Sequence, residues 1–326
     1  MEEFRAREIS EHIDRLITVD FHTRKFIIEL YEAARKCGGN VPLTYKAASA
    51  IMGNVKPGST VIFLSGFPTS GEFVAEQDGP VGAAMLARVL SELLQVRSVV
   101  LTDESQAQMT RECFMGCGFS LVDKAAREDH QVLVRGVKEN QNVGAENILN
   151  EFAPSAVIAI ERPSKNIDGK YMSMKGLDIS YKVARLDEVI ENAKQRGILT
   201  IGVGDGGNES GCGLIREDVL KYHPNGPTIA SCIKTDILVF ASISNFGAYG
   251  IAGALGALNG DIYALPDKQT LILTLMNAAR SGLHNGPPKW LDPGTDGIPF
   301  ELEAFVWESI RRMIWEEVNP HFPKFY

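Results

Sequence analysis

The chain has 326 residues, 44% hydrophobic and 23% charged, with a net charge of −8. This is ample material for one large core or two modest ones. The acidic balance, with no run of Lys and Arg, argues against a nucleic-acid surface, and apolar stretches of about 6–10 residues fall short of the roughly 20 a membrane-spanning helix needs.

The first segment, MEEFRAREISEHIDRL, is charged and amphipathic and lacks the apolar region of a secretory signal. Apolar residues at helical spacing (Ile9, Ile13, Leu16, Ile17, then Phe26, Ile27, Leu30, Tyr31, Ala34) predict a helical arm over 1–40. Strand and helix signals then alternate. Short Val- and Ile-rich runs at 60–66, 98–103, 131–137, 156–162, 198–205 and 236–244 read as strands buried on both faces. Segments 78–94, 106–117, 181–197, 246–258 and 268–282 read as helices, and 300–318 as a last helix. The alternation predicts α/β architecture: three layers, a mostly parallel sheet with helices on both faces, and helical extensions at both termini. The expected organisation is a single domain over 1–326, with the sheet core at 55–285 and a C-terminal helix and tail at 299–326.

The cysteines at 37, 113, 117, 212 and 232 are odd in number and scattered. They argue for a reducing compartment rather than a disulfide framework. Cys113 and Cys117 have no nearby pair of His and read as buried thiols rather than a zinc site.

In a parallel sheet, ligands bind beyond the C-terminal ends of the strands. Four segments fall there. In ILTIGVGDGGNESGCG (198–213), the run from Gly202 to Gly207 formally matches G-x-G-x-x-G. Asp205 inside the loop and Glu209 after it are ill placed for a pyrophosphate, so a dinucleotide site is not expected, and no P-loop motif occurs. Asp205, Asn208 and Glu209 are instead oxygen donors. They could hold Mg²⁺ or Mn²⁺ (Asp205 and Glu209 as metal ligands), grip a substrate ammonium or act as base, or merely brace a turn.

The second segment, ERPSKNIDGKYMSMKGLDIS (161–180), offers Glu161, Arg162, Lys165, Asp168, Lys175 and Asp178; its cations could bind a carboxylate, Arg by a two-point fork, or the stretch could be a surface loop of mixed charge. In the third, SISNFGAYGIAGALGAL (242–258), Ser244 or Asn245 would cap a helix whose N–H groups could receive an anion. In the fourth, EQDGPVGAAMLARVL (76–90), Asp78 reads as an N-cap. No serine or cysteine nucleophile constellation is evident, and Cys212 reads as a space-filler.

Together with TDGIP (295–299), these four blocks resemble the C-terminal domain of D-glutamate cyclase, a domain first described as of unknown function, from about residue 10 to 300. Departures are Ser210, where the family carries a bulky apolar residue, and Phe246, where it carries Trp. The resemblance implies a carbon–oxygen lyase (hydro-lyase) that closes D-glutamate to 5-oxo-D-proline. Asp205 or Glu209 would then bind the ammonium and take its proton, and Glu161 would protonate the leaving oxygen. Arg162, Lys165 or a divalent ion would polarise the carboxylate. Asp168, Asp178, Asn208, Ser244, Asn245 and Asp78 complete the expected substrate-binding set.

The family's cyclase joins this domain to an N-terminal hydratase-like one. A separate hydratase-like partner protein, or a role as a non-catalytic amino-acid-binding subunit, is therefore the alternative, with a nucleotide-dependent enzyme as a third reading. The expected ligand is a small amino acid or carboxylate. Expected surroundings are the cytoplasm, or the mitochondrial matrix in a eukaryote, with no nucleic acid or membrane partner and with homo-oligomerisation left open.

Overall fold

The computed structural model describes residues 3–69, 75–124, 126–286 and 290–319. The elements in chain order are α1 Glu3–Ile17, α2 Ile27–Cys37, α3 Leu43–Asn54, β1 Thr60–Ser65, α4 Pro80–Leu94, β2 Arg97–Asp103, α5 Ala107–Gly116, β3 Ser120–Val122, β4 Gln131–Val137, α6 Ala145–Phe152 and β5 Ala156–Ile160. There follow α7 Asp187–Gln195, β6 Leu199–Gly204, α8 Arg216–Tyr222, α9 Gly226–Ile229, β7 Ile237–Phe240, α10 Ser244–Asn259, α11 Lys268–Ser281 and α12 Phe300–Val318. The strands form one seven-stranded sheet in the order β3-β4-β2-β1-β5-β6-β7. Every pairing is parallel; Val61 lies opposite Ser98 on one side and Ala156 on the other.

Alternation along the strands builds two apolar layers. Val61, Phe63, Ile158, Ile160 and Val203 face the larger one, with α1, α3, α4, α10 and α12. Ile62, Leu64, Val157 and Ala159 face the smaller one, closed by α6 and α7. The result is the expected three-layer, parallel α/β arrangement. It is why the strands read as continuous apolar runs rather than alternating ones.

The N-terminal arm packs on its own chain. Ala6, Ile13 and Ile17 are fully buried against α10. Asp14 ties the arm down by accepting the N–H groups of Leu43 and Thr44 at the start of α3 and the Tyr31 hydroxyl. The arm is two helices, α1 and α2, joined by residues 18–26.

Several boundaries differ from expectation. The strand expected at 236–244 ends at Phe240, because Ser244 already opens α10. The helix expected at 181–197 is shorter, a 3₁₀ turn at Ser180–Lys182 followed by α7. α3, α6, α8, α9 and β3 were not foreseen. β3 is only three residues long, with Ser120 exposed and Leu121 and Val122 half-buried, too short to show a period. α3 holds its place through Leu43, Ala47, Ala48 and Ile51.

Candidate functional site

The strand order reverses direction between β1 and β5, which leaves a crevice at their C-terminal ends. A cavity of about 320 Å³ opens there, lined among others by Arg24, Phe67, Glu76, Glu161, Met174, Lys175, Asp205, Asn208 and Asp296. This is within the usual size range of small-molecule sites.

Asp205 directly follows β6 and Glu161 directly follows β5; both are buried. Glu161 sits in the left-handed region at φ 45°, as does Asp296 at φ 53°. Two non-glycine residues held there on one cavity wall are backbone strain concentrated at a site, the usual place for it. Asp78 is buried beside them, and one carboxylate oxygen from each of Asp78, Glu161 and Asp205 lies within 4.8 Å of the others. Glu76, Glu161, Asp205 and Asp296 line the cavity, with Asp78 buried beside Glu161 and Asp205.

Arg24, from the crossing between α1 and α2, spans two of them, at 2.8 Å from Asp205 Oδ2 and 2.8 Å from Asp296 Oδ2. Among the described residues, Asp78 and Glu161 have no cationic partner. Ser244 Oγ donates to Glu161 Oε2 at 2.5 Å. Asp78 accepts the N–H groups of Ser244 (3.1 Å) and Asn245 (2.7 Å) at the start of α10.

Crowding of like charges in a dry site favours protons over ionisation. Burial and then the neighbouring Asp205 and Glu209 hold Glu161 well above the usual carboxylate range. Burial, Asp296 and Asp205 do the same to Asp78, and desolvation with Asp296 and Asp78 to Glu76. Burial pushes Asp205 up to about 8, against the pull of Arg24.

The glycine-rich loop after β6 answers to Glu209. Its Oε1 accepts from Gly206 N and its Oε2 from Gly207 N, each at 2.8 Å, and Cys212 Sγ donates to Oε2 at 3.2 Å. The backbone donors that a pyrophosphate would require are thus occupied by a side chain of the same loop. A Cβ on Gly204 would lie 2.7 Å from Glu209 Oε2, so the fold-back needs glycine there. Glu209 is spent on the loop, and the carboxylates gathered with Asp205 are Asp78 and Glu161 rather than Glu209. Cys212 is buried, and burial raises its thiol well above the ordinary range, which makes it a poor nucleophile.

Arg162 does not reach the cavity. Its guanidinium forks the Asp103 carboxylate at 2.6 and 2.7 Å and donates to the carbonyls of Gly66 and Ala184, fully buried. Lys165 pairs with Glu191 at 2.6 Å. Asp168 lies on an exposed turn, and Asp178 accepts from Ser180 and pairs with Lys170 at the surface. Among the described residues, Arg24 and Lys175 are the Arg and Lys side chains that line the cavity. Asn208 is on the wall, its Nδ2 bonded to Met172 O at 2.7 Å.

Ser244 and Asn245 cap α10 with neither side chain, and Asp78 does not cap α4; the anion at the start of α10 is the chain's own Asp78. Three site residues lay outside the sequence argument: Glu76, Asp296 and Arg24. The first two sit inside the quoted blocks EQDGP and TDGIP, so a signal existed; Arg24, in HTRKF, had none.

A parallel α/β protein with an acidic small-molecule cavity at its strand ends is the class that fold and site define. Residues 13–312 match the D-glutamate cyclase-like, C-terminal family, and the chain belongs to it. It is similar to the D-glutamate cyclase, mitochondrial, of Homo sapiens, 29% identical over 208 residues that cover 60% of this chain and 32% of the human protein. The chain thus matches about a third of that relative's length.

Proposed function

We propose that the protein is a hydro-lyase of the D-glutamate cyclase type, converting D-glutamate to 5-oxo-D-proline and water. The observation that carries the reading is the wall of Glu76, Glu161, Asp205 and Asp296, backed by Asp78, with Arg24 and Lys175 beside it. An anionic wall recognises an ammonium; a cation at the rim suits a carboxylate. A substrate bearing both is drawn in folded, its amine brought toward its own γ-carboxyl carbon, and such proximity is worth several kcal/mol.

The reaction forms one C–N bond and breaks one C–O bond. The ammonium gives up two protons, one before attack and one as the ring amide forms, and the departing carboxylate oxygen takes up two and leaves as water. Carboxyls held above their ordinary range retain protons near neutral pH, and an ionised neighbour accepts one. Glu161 suits the donor role, hydrogen-bonded to Ser244; Asp205, raised to about 8, becomes an acceptor as pH approaches that value, its ionised form held by Arg24 at 2.8 Å. Lys175 replaces the expected Arg162 and Lys165 as partner of the substrate carboxylate. The name of the human relative makes the mitochondrial matrix a reasonable setting if the source is eukaryotic.

A second reading, a substrate-binding subunit that acts with a hydratase-like partner, is favoured by the matched third of the human relative. NMR of D-glutamate with the purified chain, with and without Mn²⁺ or Mg²⁺ and with L-glutamate as control, separates the two. 5-Oxo-D-proline from the D isomer alone supports the lyase. Saturable D-glutamate binding without turnover under any condition sinks it in favour of the subunit.

A further inference from the structure

Arg24 reaches the cavity from a turn held outside the easy backbone conformations. Thr23 and Lys25, on either side of it, both sit in the left-handed region, at φ 53° and 67°. That region is unfavourable for a side chain branched at Cβ, as in Thr23, and residues persist there only where their surroundings over-determine them. Asp20 accepts the backbone N–H groups of Arg24 (Oδ1, 3.0 Å) and Lys25 (Oδ2, 2.9 Å). Phe21 packs edge-on against Phe246, and the Phe26 and His223 ring centroids are 4.5 Å apart. Thr23 and Lys25 are themselves exposed, so the strained turn fixes Arg24 rather than its neighbours.

The guanidinium keeps donors in reserve. Nη1 donates to Asp205 and Nη2 to Asp296. Each Nη carries a second N–H, and these, with Nε, have no acceptor among the described residues. A carboxylate is repelled by an acidic wall except where a cation lies between them. Lys175 also lines the cavity, but among the described residues it pairs with none of the wall's acids, whereas Arg24 lies 2.8 Å from Asp205. An α-amino acid bears its ammonium and one carboxylate on the same carbon. Its complement is an acid and a cation side by side, and Asp205 with Arg24 is such a pair.

We infer that Arg24 is the specificity-determining residue for the substrate's α-carboxylate, which its remaining N–H groups receive while Asp205 faces the ammonium on the same carbon. The inference rests on the proposed function for the identity of the substrate and extends it. Lys175 is left to the γ-carboxylate, and the cavity selects α-amino acids over simple amines of the same length. The planar guanidinium suits this task better than an ammonium, because it can hold Asp205, Asp296 and a third carboxylate through separate donors.

The test compares D-glutamate with 4-aminobutyrate, which keeps the amine and the reacting carboxylate at the same spacing but lacks the α-carboxylate. Dissociation constants are measured by calorimetry on the full chain, with and without Mg²⁺, and turnover by NMR on the same samples. Wild type should bind D-glutamate about tenfold or more tightly than 4-aminobutyrate, the scale of one charge-assisted fork. Arg24→Met should erase that preference by weakening D-glutamate alone. Arg24→Lys keeps a charge between Asp205 and Asp296 but not the fork; near-UV circular dichroism verifies its folding, and it should lose most of the preference. Equal weakening of both ligands marks a merely structural Arg24 and overturns the inference. So does a wild type without the preference, or a preference that survives in either folded variant. An Arg24-dependent preference without turnover overturns the lyase reading alone. Turnover with a preference indifferent to Arg24 overturns the inference alone, and binding of neither ligand overturns both.

Discussion

Asp78 and Asn245 cap one another's helices. Asp78 accepts the backbone N–H groups of Ser244 and Asn245 at the head of α10. Asn245 Oδ1 accepts those of Gly79 (2.9 Å) and Gly82 (2.7 Å) at the head of α4. The exchange locks two helix N-termini together beneath the cavity and fixes Asp78 beside Glu161. It also explains Gly82, where a Cβ would lie 2.8 Å from Asn245 Oδ1.

Asn245→Ala should therefore cost more than an ordinary cap, since two buried donors lose their acceptor at once: about 2–4 kcal/mol in urea unfolding. A loss below about 0.5 kcal/mol, in the range of a neutral surface change, would show that the pairing does not hold α4.

Arg162 should behave as structure. Replacing it with Met strands the buried Asp103 carboxylate, and breaking one partner of such a pair typically costs about 3–5 kcal/mol. The paired variant Arg162→Met with Asp103→Leu should recover much of that stability, and with it any turnover. Activity that stays lost in a restored fold would return Arg162 to the reaction.

Glu303 gives the stability a pH dependence. Its carboxyl on α12 is fully buried, receives the Tyr249 hydroxyl at 2.7 Å, and is pushed up to about 7 by burial. The unfolded chain releases that proton near the ordinary 4.5. Between those values the folded state binds more protons, so this contribution is present at low pH and is lost as pH rises through about 7. Glu303→Gln should flatten the fall, with a gain on the order of 2–3 kcal/mol at pH 8 over wild type. Parallel curves of stability against pH for the two proteins would contradict the assignment.

Lys175→Met should raise the KM for D-glutamate about tenfold or more with a smaller change in kcat, because a rim cation contributes binding common to substrate and transition state. The side chain is exposed, so Tm should not move. An unchanged KM would place the substrate carboxylate elsewhere.

Much of the architecture was legible in the residues. Val- and Ile-rich runs between amphipathic segments permit little besides a buried parallel sheet, because strands covered on both faces need apolar side chains on both. β3 escaped notice because it is short and half-exposed. α3 was missed because only Leu43 and Ile51 on its buried face are large and apolar.

For the site, the sequence by itself determined which loops surround the cavity, since strand direction alone places them. Asp205, Glu161, Asn208 and Asp78 follow from that rule. It could not rank charged residues within a loop, because a carboxylate braced on its own backbone, like Glu209, and one turned to a cavity, like Glu161, are alike in one dimension. Nor could it see that Arg162 is satisfied by Asp103, a residue 59 positions away, or that Arg24 crosses 181 positions to reach Asp205. Those choices belong to the tertiary structure, because a buried charge settles where distant segments bring it a partner, and that depends on packing rather than on neighbours in the chain.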